Sequence, residues 1–507
     1  MKLRRLIASI MALSLSVCAV QSPYISRGIF AAAEEEQTSE CVSFDEETGT
    51  LTLKGNVVAD EVQKYKNNEK VKTIIAEEGA IFPESCNNLF SNSSALKIDL
   101  SKADTSRVTN MQGMFYYCSS LADIDLSGID TSNVTDMRGL FYGCKSLTSL
   151  DISGIDTHNV IDMGFMFAYC ILLTALDLSE LDTSSVTIMC SMFVNCKALT
   201  TLNLSGIDTS KVTDMRSLFF NCNSLTSLDL SGFNTSNVTN MTGMFGHCLP
   251  LKSLDLTGFN TSNVTNMGEM FADCPYLESL DLSGFDTSNV TDMTEMFAYC
   301  TALESLDLSG FDTSNVKKMG WMFDNCSSLT SIDVSGFSTA NLEKINGMFK
   351  ECSALKTIYA DKAFNVTTKE SDDMFSGCVN LVGGNGTKFD ESITDAAYAH
   401  IDEPDNPGYF TEKKKDPGTE PVQNEQKLGD PTGDGIIDAV DASNILSQYT
   451  KYSTGAAEPT AEDLAVCDVN GDGYIDSVDA SKVLAYYAHV STDGTLSFTE
   501  FLEKQTA

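Results

Sequence analysis

From Leu121 to Cys378 the apolar residues return in one phrase every 26 positions. The clearest copy reads Leu277-x-x-Leu280-Asp281-Leu282, Ser283-Gly284-Phe285, Val290, Met293, Met296-Phe297 and Cys300. Leu280 and Leu282 point one way and Asp281 the other, the alternation of a short strand. Gly284 then turns the chain. Spacings of 3, 3, 1 and 3 from Val290 to Cys300 predict a short helical or irregular return with one apolar face. One such turn cannot bury its apolar face alone, whereas stacked turns can. Cys118, Cys144, Cys170, Cys196, Cys222, Cys248, Cys274, Cys300, Cys326, Cys352 and Cys378 mark eleven copies in phase. The expected architecture is a solenoid of short parallel strands with helical or irregular returns. At ~4.8 Å per parallel rung, about a dozen turns make a rod on the order of 55 to 60 Å long.

The phrase decays at both ends, where a rod needs caps. Phe44 to Leu53 reads as a hairpin, and Leu89-Phe90 with Leu96 and Ile98 as a degenerate first turn. Asn406-Pro407-Gly408-Tyr409-Phe410 is expected to close the array. On these repeats the chain resembles the leucine-rich repeats of BspA-type bacterial surface proteins, over roughly residues 84 to 411. The resemblance implies a leucine-rich-repeat-type solenoid and a role in adhesion or binding, without a named ligand. Such repeats usually carry an asparagine after the strand. This chain has Ile155, Phe233 or Phe285 there, so the Thr-Ser-Asn phrase is the expected substitute for the missing asparagine ladder.

Two polar columns follow from the stacking. One runs through Asp125, Asp151, Asp177, Asn203 and Asp229 to Asp333, the other through Asp130, Asp156, Asp182, Asp208 and Asn234 to Asp312. They read either as sites for cations or basic ligands, or as side chains that cap turns and keep sheet edges from aggregating. The cysteine column also has two readings. Rungs ~4.8 Å apart fall in the disulfide range of roughly 4.4 to 6.8 Å, but parallel Cβ vectors disfavour bridging, so buried thiols are expected.

After Lys413-Lys414-Lys415 the composition turns to proline, glycine and glutamate, a linker over 412–427. A second domain follows, with Asp430, Thr432, Asp434, Ile436, Asp438 and Asp441, and 38 residues later Asp468, Asn470, Asp472, Tyr474, Asp476 and Asp479. These occupy positions 1, 3, 5, 7, 9 and 12 of paired calcium loops, with glycine at 6. Calcium needs six to eight hard oxygens; Ile436 and Tyr474 would lend backbone carbonyls. Thr432 puts a neutral hydroxyl where Asp or Asn is usual, which predicts the weaker of two Ca2+ sites. Aspartate rather than glutamate stands at 12, and only an exit helix has room after each loop, Asp441 to Tyr449 and Asp479 to Tyr487.

That arrangement resembles a type I-like dockerin over 428–507, which implies a small all-α calcium-loop domain and a cohesin partner on a scaffoldin. Ala442, Ile445 and Tyr449, with Ala480, Val483 and Tyr487, are expected in its core. Ala439, Val440 and Leu446, and Ser477, Val478 and Leu484 in the second copy, fall where dockerins contact cohesins. They read as that contact or as local packing, and the likeness of the two copies permits binding in two orientations.

The chain opens with Met1-Lys2-Leu3-Arg4-Arg5 and an apolar run from Leu6 to Val20, the pattern of a signal segment over 1–33. A cap over 34–83 precedes the solenoid of 84–411. No other apolar stretch approaches the ~20 residues of a membrane span. The expected location is extracellular or on the cell surface through a cellulosome. A net charge of −38 disfavours nucleic acid and anionic membranes. His158, His247, His400 and His489 lack metal spacing, Trp321 stands alone, and neither Gly-x-Ser-x-Gly nor His-Glu-x-x-His occurs. The chain is therefore expected to be a non-enzymatic binding protein. Its solenoid ligand would be a protein, a cell surface or a plant polysaccharide. The alternative is an accessory or hydrolytic subunit in polysaccharide degradation, since tyrosines can stack sugars and dockerins usually travel with glycoside hydrolases.

Overall fold

The computed structural model describes residues 41–366, 370–413, 428–431, 437, 439–453, 459–491, 497, 498, 501, 502 and 504. The expected signal segment and residues 414–427 of the expected linker lie outside them. The chain divides into two compact units, the first ending at Thr411 and the second beginning at Glu412.

The first unit begins with a hairpin. Strand Val42–Asp45 pairs antiparallel with Thr50–Leu53, joined by a turn in which the Asp45 carboxylate accepts the Glu47 amide at 2.9 Å. Gly49 is required there. Its φ is +70°, and a Cβ would lie 2.5 Å from the Lys70 carbonyl oxygen. Parallel pairing then runs from Thr50–Leu53 to Thr73–Ala76, Lys97–Asp99 and Asp123–Asp125. In the degenerate first turn Leu89, Phe90 and Ile98 are buried, but Leu96 is half exposed.

Each 26-residue copy forms one rung of a parallel solenoid, and the rungs share a continuous apolar core. Val134, Met137, Phe141, Cys144 and Leu147 are fully buried, as are their equivalents along the array. The phenylalanine column stacks from Phe115 to Phe375, with centroids 5.4 Å apart at the Phe115–Phe141 step and 6.0 Å at Phe349–Phe375. Tyr409 and Phe410 end this stack edge-on against Phe375, at 5.2 and 5.9 Å, and so close the array.

The hydrogen-bonded ladder does not lie where the leucine alternation places it. Paired strands of the Leu-x-Leu segment occur at Asp123–Asp125, Ala175–Asp177, Thr201–Asn203, Ser331–Asp333 and Thr357–Ala360. Leu280-Asp281-Leu282 is not among them; the Glu278 N–H joins its rung to the one before through the Lys252 carbonyl, at 2.9 Å. The Asp281 side chain accepts the Ser283 amide at 3.0 Å and bends the chain after three extended residues, as Asp125 and Asp177 do at the ends of paired strands. An unbroken line of parallel bridges instead follows the residue before the first methionine, from Ser85 to Glu370.

The return is not helical. The amides of Met137, Gly139, Phe141 and Gly143 donate to the carbonyls of Asp162, Gly164, Met166 and Ala168 on the next rung, at 2.8 to 3.0 Å. The intervening amides of Leu140, Tyr142 and Cys144 turn back three residues, at 3.0 to 3.1 Å. A backbone that sends alternate amides out and back needs left-handed residues at intervals. They stand five and one before each cysteine: Gly139 and Gly143 at φ 60° and 73°, Glu295 and Tyr299 at 56° and 63°.

The second unit contains helices Ala439–Ser453, Ala461–Cys467 and Ser477–Ser491. Its core holds Ala442, Ile445, Val466, Cys467, Val469, Ile475, Ala480, Val483 and Phe498. Two expectations fail here. Tyr449 and Tyr487 are exposed, at 38% and 44%, whereas Tyr452 and Tyr486 pack against the core. The second loop also has a leading helix, Ala461–Cys467. Thr460 caps it by accepting the Asp463 amide at 3.1 Å, and Asp463 reciprocates to the Thr460 amide at 2.9 Å. Among the described residues no helix is long and apolar enough to cross a membrane.

Candidate calcium and docking site

The second loop folds inward on its carboxylates. Asp468 ends the leading helix and accepts the amides of Gly471 and Asp472 on Oδ1, at 2.8 and 3.1 Å, and that of Gly473 on Oδ2, at 2.8 Å. Gly473, at the sixth position, has φ +88°. Asn470 accepts the Asp472 amide at 2.8 Å, and Asp472 accepts that of Tyr474 at 3.0 Å. Asp479 closes the loop from the first turn of helix Ser477–Ser491. It accepts the amides of Asn470 and Asp476, at 3.1 and 2.9 Å. Asp476 caps the same helix through the Val478 amide, at 2.6 Å.

Asp479 is completely buried, and desolvation pushes its carboxyl above the usual range, against the pull of those amides. A buried carboxylate without a cation is costly. Asp441, its counterpart in the first loop, is also completely buried, and Asp430 is 4% exposed. The amide of Gly429 donates to the Val466 carbonyl at 2.7 Å and ties the start of the first loop to the helix before the second. Thr432, Asp434, Ile436 and Asp438 lie outside the described residues, as do the side chains of Ala439 and Val440. Among the described residues no three His, Cys, Asp or Glu side chains converge as a metal cluster, since the second loop's carboxylates meet its own amides. The donor set, hard oxygens with buried carboxylates at position 12, nevertheless fits calcium.

Beside the loops, Leu446, Val478 and Leu484 are 40%, 48% and 43% exposed, and Ser477 is exposed at the start of its helix. Tyr474 is 72% exposed, so its side chain stands clear of the loop interior. Tyr449, Tyr487 and Val490 extend this exposed apolar row. Sequence reasoning assigned the two tyrosines to the core. Their recurrence 38 residues apart was the available signal that they share one environment.

On the solenoid, both aspartate columns cap turns. Asp125 accepts the Ser127 amide and Asp130 the Ser132 amide, each at 3.0 Å, and the pattern repeats along both columns. The Ser231 hydroxyl and amide hold the Asp229 carboxyl below its usual range. The threonines supply the ladder that asparagine usually makes. The Thr131 and Thr157 hydroxyls, both buried, donate to the carbonyls of Asp156 and Asp182 one rung on, each at 2.8 Å. Asn263 and Asn289 reach back to the carbonyls of Ser236 and Ser262, each at 2.7 Å. The cysteines are free thiols, and Cys144 donates to the Phe115 carbonyl at 3.2 Å.

The family model described as "Mycoplasma protein of unknown function, DUF285" matches residues 84–202, 171–280 and 276–384, and that of the dockerin type I domain matches 428–486. Among solved structures the chain is similar to a leucine-rich repeat protein from Bacteroides ovatus, at 20% identity over 64% of this chain and 93% of that one, with a TM-score of 0.33. A leucine-rich cell surface protein from Faecalibacterium prausnitzii is 19% identical over 67% and 91%, with a TM-score of 0.33. A leucine-rich repeat protein from Eubacterium ventriosum is 17% identical over 67% and 93%, with a TM-score of 0.36. No curated protein matches the chain. With the three repeat matches spanning more than half of its length, the chain belongs to the DUF285 family, as a BspA-type leucine-rich-repeat protein that ends in a dockerin type I domain.

Proposed function

We propose that this chain is a non-catalytic extracellular binding protein, attached through its dockerin to a cohesin on a scaffoldin, with the solenoid presented to a protein, cell-surface or polysaccharide ligand. The observation that carries the reading is the dockerin match over 428–486, which lies beyond the repeat array. In the second loop Asp468, Asn470, Asp472, Asp476 and Asp479, with the Tyr474 carbonyl, would hold Ca2+. Asp430, Thr432, Asp434, Asp438 and Asp441, with the Ile436 carbonyl, would do so in the first. The ion supplies the positive charge that inward-facing carboxylates need, and the loops in turn hold the two long helices in place. Val440 and Leu446 in one copy, and Val478 and Leu484 in the other, form the apolar centre of the cohesin contact, with Ala439 and Ser477 beside them.

The test is capture from a cell-surface extract by the immobilised calcium-loaded chain, with and without chelator. A cohesin-bearing protein should be retained and then released by chelator. Failure to retain one in calcium would overturn the anchoring role. Release of reducing sugar from plant polysaccharide by the purified chain would overturn the non-catalytic one and support the hydrolytic alternative.

A further inference from the structure

The chain contains three Asn-Gly pairs, Asn346-Gly347, Asn385-Gly386 and Asn470-Gly471. In such a pair the glycine nitrogen can attack the side-chain carbonyl carbon of the asparagine, unhindered because glycine carries no Cβ. A bond forms between that nitrogen and Cγ, the Cγ–Nδ2 bond breaks, and ammonia leaves with the proton of the former glycine amide. Water then opens the cyclic imide at either carbonyl, leaving aspartate or, with the backbone rerouted through the side chain, isoaspartate. The attack needs a free glycine N–H and a carboxamide able to turn toward it. Hydrogen bonds to those two groups therefore decide where the reaction is slow.

In the solenoid both pairs are tied into the stack. The Gly347 amide donates to the Asp372 carbonyl at 2.9 Å, and the Asn346 carbonyl accepts the Trp321 amide at 2.7 Å. In the cap that closes the array, the Asn385 carboxamide donates to the carbonyl of Asp402, a residue 3% exposed, and the Gly386 amide to the Gly383 carbonyl at 2.9 Å.

The third pair occupies positions 3 and 4 of the second calcium loop and is held by that loop's own carboxylates. The Gly471 amide donates to Asp468 Oδ1 at 2.8 Å. Asn470 Oδ1 accepts the Asp472 amide at 2.8 Å, and its Nδ2 donates to Asp472 Oδ2 at 3.0 Å. Gly471 itself is exposed, with φ +76°. Asp468 and Asp472 bring two negative charges into one small loop, and they repel one another when no cation stands between them. The bonds that restrain Asn470 and Gly471 thus depend on the groups that a bound Ca2+ would hold together.

We infer that Asn470-Gly471 is a calcium-protected deamidation site, modified when the second loop stands open without its ion. The inference rests on the reading that this loop holds Ca2+. Isoaspartate at 470 lengthens the backbone by one methylene inside the loop, moves Asp472 and the Tyr474 carbonyl away from Asp468, and removes the site. Aspartate keeps the backbone and leaves a carboxylate oxygen at position 3, so that product still binds. Where opening and closing are fast, the rate follows the open fraction of the loop. Calcium at ~100 times its dissociation constant lowers that fraction ~100-fold.

The full chain, aged at mildly alkaline pH with calcium or with chelator, tests this. Peptide mapping by mass spectrometry reads the replacement of the amide by a hydroxyl, and isoaspartyl methyltransferase labelling reads the rerouted product. In chelator the Asn470 peptide should deamidate at least ~10-fold faster than in calcium. The Asn346 and Asn385 peptides should show no dependence on calcium. Calorimetry of Asn470→Asp should show calcium still bound at the second loop, while chain aged in chelator loses affinity in proportion to its isoaspartate. Equal rates at Asn470 with and without calcium, in a chain whose second loop binds the ion by calorimetry, would overturn this inference alone. Absence of calcium binding at that loop would overturn the calcium reading and this inference with it.

Discussion

The Thr183 hydroxyl bridges two rungs through a single partner residue, donating to the Asp208 carbonyl at 2.9 Å and accepting the Asp208 amide at 2.8 Å. Thr183 is 1% exposed, so water cannot replace either bond. Thr183→Val keeps the shape and removes both bonds, and should cost about 1 to 3 kcal/mol, while Thr183→Ser should cost less. Denaturant titration of the two variants checks this; equal stability of Thr183→Val and the parent would mean that the ladder contributes nothing.

The thiol column predicts slow chemistry. Cys248 is completely buried and donates to the Phe219 carbonyl at 3.1 Å, and burial pushes its thiol up to about 12. Thiolate is the reactive form. The native solenoid should therefore resist an aromatic disulfide reagent, with its thiols reacting together on unfolding. Rapid labelling of the folded protein, or mass spectrometry showing bridges between adjacent rungs, would contradict this.

Glu295 makes the solenoid sensitive to pH. Burial, followed by repulsion from Glu269 and Asp324, raises its carboxyl to about 7. Because the folded value lies above the unfolded one, the fold prefers the protonated form. The resulting stability is full below about pH 4.5 and is lost as pH rises through about 7. Glu295→Gln should raise the melting temperature at pH 8, by the equivalent of about 1 to 2 kcal/mol, and leave it nearly unchanged at pH 5. An equal shift at both values would show that burial of this carboxylate carries no penalty.

The two calcium sites should be unequal. Isothermal calorimetry of Asp472→Ala should show loss of the tighter site and that of Asp434→Ala loss of the weaker one, because Thr432 lends its loop a neutral oxygen where Asn470 lends the other an amide oxygen of stronger donor character. Matching losses in affinity would remove the ranking.

Much of this protein was legible before any coordinates. The 26-residue period determined the stack, the buried methionine, phenylalanine and cysteine columns, and the turn-capping role available to aspartate followed by serine or threonine. Such features depend on contacts between a residue and its own copy one rung away, so repetition alone reveals them. The capping box of Thr460 and Asp463 was equally present in the sequence, and its three-residue spacing was the signal for the leading helix.

Tertiary structure decided the rest. Left-handed backbone at Tyr117, Phe165 or Trp321 runs against what those residues prefer, and only the alternating bonds of the return impose it. The leucine alternation marked which side chains face inward, but not where neighbouring rungs exchange hydrogen bonds, because alternation belongs to one strand whereas bridging depends on how the next rung lies against it. Tyr449 and Tyr487 have core spacing yet stand exposed, since helical periodicity fixes a direction and not which turns of that face a neighbour covers. The sequence thus determined the repeat and its inward faces through local spacing, while the register between rungs, the left-handed backbone at aromatic residues of the return and the exposed apolar residues of the second unit arose from contacts among elements that no single stretch contains.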